Sequence, residues 1–262
     1  FHEDMHNEAS VYMAQALGLA MPEAVVGSVS ALGVDAAEFK IADPVTLLPV
    51  ASGRNDSLAR SDSRRSVSVP AQHFRMGHQG PGFAFDNELG AHEVSLSAFE
   101  IDERAVNWGE YLAFVEATHH APPPHLQCID GRWHQRKFGL WTRVDFNEPA
   151  EYLSAFDAQA WCEWAGRALP TEAQWECAVV TGAIAPASWG QVWEWTSSTF
   201  QPYPGFVPHP YRDYSAPWFG THRVLRGASR HTSGHIVSPR YRNFFLPERT
   251  DIPAGFRTVA PT

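Results

Sequence analysis

Arg167-Ala168-Leu169-Pro170-Thr171-Glu172-Ala173-Gln174-Trp175-Glu176 is the stretch whose reading organises the rest of the chain. Thr171 is a helix N-cap type and Gln174, three positions on, completes a capping box, so a short helix starts here and runs through Trp175 to about Val179. Just upstream, Phe156 to Gly166 reads as another helix, started by Asp157 and ended by Gly166. Further upstream, Asn107 caps a helix over Trp108 to Val115, with Glu110 in the capping-box position. Downstream, residues 181–262 are dense in Gly, Pro and aromatics and almost free of helical periodicity, which predicts loops and short strands around a core. Val69 to the C-terminus is therefore expected to be one α+β unit.

Working towards the N-terminus, residues 51–68 are rich in Ser and Arg and nearly free of bulky apolar groups, which is linker composition. Residues 20–50 are mixed Ala/Val/Pro segments with weak alternation. Before them, Met5, Ala9, Tyr12, Met13, Ala16 and Leu17 recur at helical spacing up to Gly18, a C-cap type, so residues 1–50 read as the end of a separate helical domain. The chain starts with Phe1, inside that pattern, and an upstream segment is expected.

On that helix His2 and His6 stand four apart, where side chains lie one above the other, about 5–6 Å apart. Three readings are open. The pair can sit on a solvated helix face. It can belong to a zinc peptidase, because His2-Glu3-Asp4-Met5-His6 fits H-E-x-x-H with Glu3 as general base, although Ala9 and Tyr12 stand where the longer motif needs Gly and His. Or it can be half of a metal site whose remaining ligand comes from elsewhere.

Composition narrows the partners. Of 262 residues, 44% are apolar and 13% aromatic, ten of them Trp, which is globular. A net charge of −9 repels phosphate backbones and anionic membranes, so neither nucleic acid nor membrane is an expected partner. No apolar run approaches the roughly 20 residues that span a bilayer. Cys128, Cys162 and Cys177 are too few and scattered for a disulfide framework, which favours a reducing, cytoplasmic location.

Six motifs then occur in a recognisable order: Glu100-Ile101-Asp102, the Arg167–Glu176 stretch, Val192-Trp193-Glu194-Trp195-Thr196, Val224-Leu225-Arg226-Gly227, Arg240-Tyr241-Arg242-Asn243 and Gly255-Phe256-Arg257. Over about residues 69–260 they resemble the formylglycine-generating enzyme fold, an irregular, lectin-like α+β domain. Those enzymes carry a reactive cysteine pair between the Arg-Gly and Arg-Tyr-Arg motifs. Here Ala228 to Pro239 contains no Cys, which excludes copper-thiolate chemistry of that kind.

With His2, His6 and Glu8 upstream and Phe85-Asp86-Asn87-Glu88 between, the chain resembles the ergothioneine-biosynthesis sulfoxide synthases and selenoneine synthases. That resemblance implies the remnant of an N-terminal four-helix-bundle, DinB-like domain. Such a domain gives three histidines to non-haem Fe(II); two map to His2 and His6, and the third to a helix before Phe1. Three neutral imidazoles suit iron(II), with open positions for reactants. The implied substrates are hercynine, O2 and a selenosugar or thiol donor, joined by a carbon-selenium or carbon-sulfur bond at the imidazole carbon. The implied proton donor is Tyr211, with Tyr203 as rival; a phenol donates without carrying charge. The implied substrate residues are Asn243, Phe244, Phe245 and Arg249, with Phe244 covering the trimethylammonium by cation-π attraction.

Where γ-glutamylcysteine-using members have Asp, this chain has Phe245. Loss of that charge argues against a donor bearing an ammonium and favours a selenoneine synthase; a sulfoxide synthase using cysteine is the alternative. Because lectin-like folds also serve recognition, a non-catalytic binding module is the third expectation.

Overall fold

The computed structural model describes residues 2–21 and 64–261. The segments expected over 22–50, and the linker as far as residue 63, lie outside the described residues.

Helix α1 spans His2–Leu17. It ends as the sequence predicts, with Gly18 left-handed at φ +67 and hydrogen bonds from Leu19 N to Ala14 O and Gly18 N to Gln15 O, a Schellman closure. The face it buries differs from the expected apolar stripe. Glu8, Val11, Tyr12, Ala14 and Gln15 are buried, whereas Met13 is 60% and Leu17 72% exposed. Two polar side chains displace those apolar ones because they find partners across the interface. Gln15 Nε2 donates to Arg136 O (2.7 Å) and its Oε1 accepts from Phe138 N (2.6 Å). The backbones meet closely next to this contact: a Cβ on Gly139 would stand 2.3 Å from Gly18 O, so only glycine fits there.

The second unit includes residues that the composition assigns to the linker. Ser66–Val69 is strand β1, paired antiparallel with β4 (Phe99–Asp102), so Ser66 to Ser68 belong to the sheet and not to the linker. Strands β2 (Gln72–Met76) and β3 (His92–Leu96) form a hairpin. Helices α2 (Trp108–Thr118), α3 (Ala155–Ala165) and α4 (Glu172–Val180) stand where the sequence puts them. The capping boxes Asn107/Glu110 and Thr171/Gln174 are both formed. Helix α3 starts earlier than read: Ser154 is its N-cap, and Asp157 is the N3 carboxylate that reaches back to it. Asp157 also holds His120 Nε2 (2.8 Å), just past the left-handed residue His119 that ends α2. Strands β5 (Leu126–Ile129), β6 (Arg132–Lys137) and β7 (Leu140–Arg143) form an outlying antiparallel sheet.

The C-terminal third supplies the central sheet, in the order β10-β9-β8-β11, from β8 (Trp193–Thr199), β9 (Arg223–Gly227), β10 (Asn243–Phe245) and β11 (Ala254–Gly255). Only β8–β11 is parallel. Its inner face carries Trp193, Trp195 and Leu225 against Trp108, Tyr111, Leu112 and Trp161 of α2 and α3. Each such side chain contributes roughly 1.5–3 kcal/mol by leaving water.

Charged pairs lie inside that core. Arg257 and Glu194, Arg226 and Glu176, and Arg242 and Glu172 are joined, with all three guanidiniums fully buried. The Arg and Glu of the recognised motifs therefore hold the fold together. Among the described residues no helix is long and apolar enough to cross a membrane.

Candidate active site

Three segments meet α1: the loop 207–215 through Tyr211, the turn 228–236 through Ser229, Thr232 and His235, and strand β10 through Phe245. His2 and His6 face one another on the exposed side of α1, with Nε2 atoms 2.8 Å apart and ring centroids 4.5 Å apart. The ring of Tyr211, 57% exposed, stacks on His2 at 5.4 Å. The structure thus brings together three of the residues singled out from the sequence. Tyr203 is elsewhere: it is buried under the Arg242 guanidinium, 3.9 Å above its ring, with its hydroxyl donating to Glu172. Glu3 is exposed.

The Tyr211 loop is held from below by Phe85-Asp86-Asn87-Glu88, which forms a buried 3-10 turn. Ser215 Oγ donates to Asp86 Oδ1 (2.5 Å) and accepts from Asn87 Nδ2 (3.1 Å), while His209 N donates to Asp86 Oδ2. Phe85 packs on both Tyr214 (4.8 Å) and Tyr241 (5.1 Å). Burial pushes the phenols of Tyr214 and Tyr241 well above their ordinary range, so both stay protonated and serve as hydrogen-bonding walls. In the sequence Phe85 to Glu88 is only a marker of the resemblance; its physical task is to seat the tyrosine loop.

Strand β10 divides the expected substrate residues between its two faces, because successive side chains alternate. Phe244 stacks on Phe200 at 4.0 Å and meets Tyr214 and His222 at its edges, so one of its ring faces is already covered. Phe245 points the other way, edge-on to Tyr12 of α1 (6.3 Å), and shares its face with Asn243. Arg249 lies 4.9 Å over the Phe245 ring and forms two 2.6 Å hydrogen bonds to Asp251. Its charge is therefore already matched, a partnership the sequence reading missed although the two residues are only two apart.

Two imidazole nitrogens this close suit adjacent positions on one metal ion, since donors bonded at about 2.0–2.1 Å stand about 3 Å apart at right angles. Among the described residues no third His, Cys, Asp or Glu joins them to complete a set of three. The spacing of the pair suits two ligand positions. His231 and His235 do not form a second pair: His235 lies 3.9 Å from Asp4, and His231 packs edge-on against Phe138.

The chain matches the sulfatase-modifying factor enzyme 1-like domain over residues 52–189 and 186–262. It is 31% identical to a hercynine oxygenase of Mycobacterium tuberculosis, over 66% of this chain and 55% of that protein. A formylglycine-generating enzyme of Streptomyces coelicolor is 28% identical over 80% of this chain and 93% of that one. The chain spans about half the length of the hercynine oxygenases that it matches. Among solved structures, PvdO of Pseudomonas aeruginosa superimposes with a TM-score of 0.56 over 74% of this chain and 93% of that one; at 18% identity the likeness is one of fold alone.

Proposed function

The chain belongs to the sulfatase-modifying factor enzyme 1-like family, and from that premise we propose that it is part of a cytoplasmic, O2-dependent enzyme acting on hercynine. In this reading His2 and His6 hold a non-haem iron(II), and the product is a carbon-selenium or carbon-sulfur bond at the imidazole carbon. The observation that carries the reading is the convergence of His2, His6 and Tyr211 at one end of α1. Relatives named hercynine oxygenase and ergothioneine biosynthesis protein 1 point to the same substrate. When bound, iron(II) supplies a place to gather the reactants and pass electrons to oxygen.

The chain's own groups do the rest by position. Tyr211, whose ring stacks on His2, is the group placed to donate a proton as oxygen is reduced. Asn243, on the Phe245 face of β10, offers an amide to hercynine. Phe245 forms an apolar wall and Arg249 is engaged by Asp251, so neither a free carboxylate nor a free guanidinium greets the donor here. That favours a donor without an amino-acid head group, hence a selenosugar and a selenoneine synthase. As carbon and selenium join, the imidazole C–H and the selenol each lose a hydrogen, and O2 is the electron acceptor.

The test incubates full-length, iron-loaded protein with hercynine, air and selenosugar, cysteine or γ-glutamylcysteine, and identifies products by mass. Selenium transfer without a sulfoxide is expected. A sulfoxide from cysteine overturns the selenium assignment, and turnover that survives His2→Ala and His6→Ala overturns the iron reading; a fall of roughly 100-fold or more is expected there. Tyr211→Phe is expected to lower kcat by about 100-fold while leaving the hercynine KM within a few fold, as for loss of a proton donor. An equal loss in Tyr203→Phe with none in Tyr211→Phe assigns the donor to Tyr203.

A further inference from the structure

Glu8 is the most heavily coordinated side chain of α1, and neither the ligand pair nor the substrate residues account for it. It is 4% exposed, and a single oxygen, Oε1, accepts four hydrogen bonds. Tyr12 OH reaches it from the next turn of the helix. The other three donors come from the second unit: Trp193 Nε1 (2.8 Å), Ser229 Oγ (2.7 Å) and Thr232 Oγ1 (2.8 Å). Trp193 Nε1 also reaches Tyr12 OH at 3.0 Å, and burial beside Glu8 keeps the Tyr12 phenol protonated.

We propose that Glu8 is a positioning residue, whose socket of Trp193, Ser229 and Thr232 fixes the rotation and depth of α1 and so sets the His2/His6 turn against Tyr211. The inference rests on the functional reading above and deepens it. The geometry is short-range: Glu8 is two residues beyond His6 and six beyond His2, about 9 Å along the axis at 1.5 Å per residue. A helix is rigid over that distance, so fixing Glu8 fixes both imidazoles. Trp193 is fully buried in β8 and braced by Tyr241 at 5.1 Å, which makes the socket a part of the central sheet. Ser229 and Thr232 are further locked to each other, with Ser229 N donating to Thr232 Oγ1. Gln15, two turns on, makes the second anchor with the backbone of Arg136 and Phe138. Two polar anchors on one helix face leave α1 no freedom to roll.

The test uses the full-length protein and titrates Co(II) or Fe(II) into wild type, Glu8→Ala and the socket variant Ser229→Ala/Thr232→Ala. Metal affinity is read optically, and kcat and KM for hercynine are read separately. The expected result is a 10- to 100-fold loss of metal affinity in both variants. The hercynine kcat falls with its KM within a few fold, and the Trp193 indole N–H signal shifts in NMR spectra. Lowered thermal stability with wild-type metal affinity and kcat in the folded fraction overturns the proposal and leaves Glu8 a packing residue. If Glu8→Ala does not fold, the socket variant, which removes hydroxyls only, gives the same decision. Wild-type protein that binds neither metal overturns the iron reading together with this inference, whereas wild-type binding matched by both variants overturns this inference alone.

Discussion

Arg257→Met is expected to destabilise the protein by about 3–5 kcal/mol, enough to lower its melting temperature by roughly 10 °C. Arg257 is fully buried and grips both oxygens of Glu194, with Nη2 2.7 Å from Oε1. Its remaining donors go to the carbonyls of Asp102, Glu103 and Ser188. Removing it strands the Glu194 carboxylate, 1% exposed, with Trp175 Nε1 as its one remaining side-chain donor among the described residues. The penalty is therefore the desolvation of an unpaired charge more than the loss of an attraction. The double variant Arg257→Met/Glu194→Leu is expected to be more stable than Arg257→Met alone, because no buried charge is left. Denaturant titrations of the three proteins check this, and a double variant as weak as the single one points to lost packing instead.

The second large effect is alkaline. Burial raises the Glu88 carboxyl from its ordinary range to about 8, above an unfolded value near 4.5. Between those two values the folded chain holds a proton that the unfolded chain has released, so stability falls as pH rises, by about 1.4 kcal/mol per unit. His125 and His231 act in the opposite sense. Burial lowers both to about 4, so below pH 6.5 the unfolded chain takes up protons that the folded chain refuses, and stability falls as pH falls. Two histidines outweigh one carboxyl in the window they share, which puts maximal stability near pH 6.5 with a decline towards pH 8. Glu88→Gln keeps the acceptor for Phe85 N and removes the titration. Melts at pH 6.5 and 8.5 are expected to differ clearly in the wild type and little in the variant; an unchanged decline excludes Glu88 as its source.

Local signals were the readable part of this chain. The boxes Asn107/Glu110 and Thr171/Gln174 and the glycine closing α1 act within a few residues, so their chemistry is complete in the sequence. The start of α3 was misread because Asp157 is itself a good N-cap type, and only the fold decides that Ser154 takes that place. Contacts between distant segments were not readable. Three of the four donors to Glu8 lie 185 to 224 residues away, and helical periodicity cannot tell that Glu8 and Gln15, and not Met13 and Leu17, face inward. Strands as short as β10 and β11 carry too few residues to show alternation. His2 and His6 are legible as a pair from helical spacing and Tyr211 only through resemblance, and the proximity of Tyr211 to His2 follows from two segments seated separately, one by Glu8 and one by Asp86.

The pairing of Glu194 with Arg257 spans 63 residues, which has a consequence for how the protein is made. At a synthesis rate of about 5–20 residues per second, Glu194 leaves the ribosome roughly 3–13 s before its partner. Until Arg257 emerges, strand β8 carries a carboxylate that cannot be buried, and the central sheet has to wait open. A nascent chain stopped short of Phe256 is thus held in an unfinished form that proteases and chaperones can reach, and the synthesis of Arg257 acts as the release for the core.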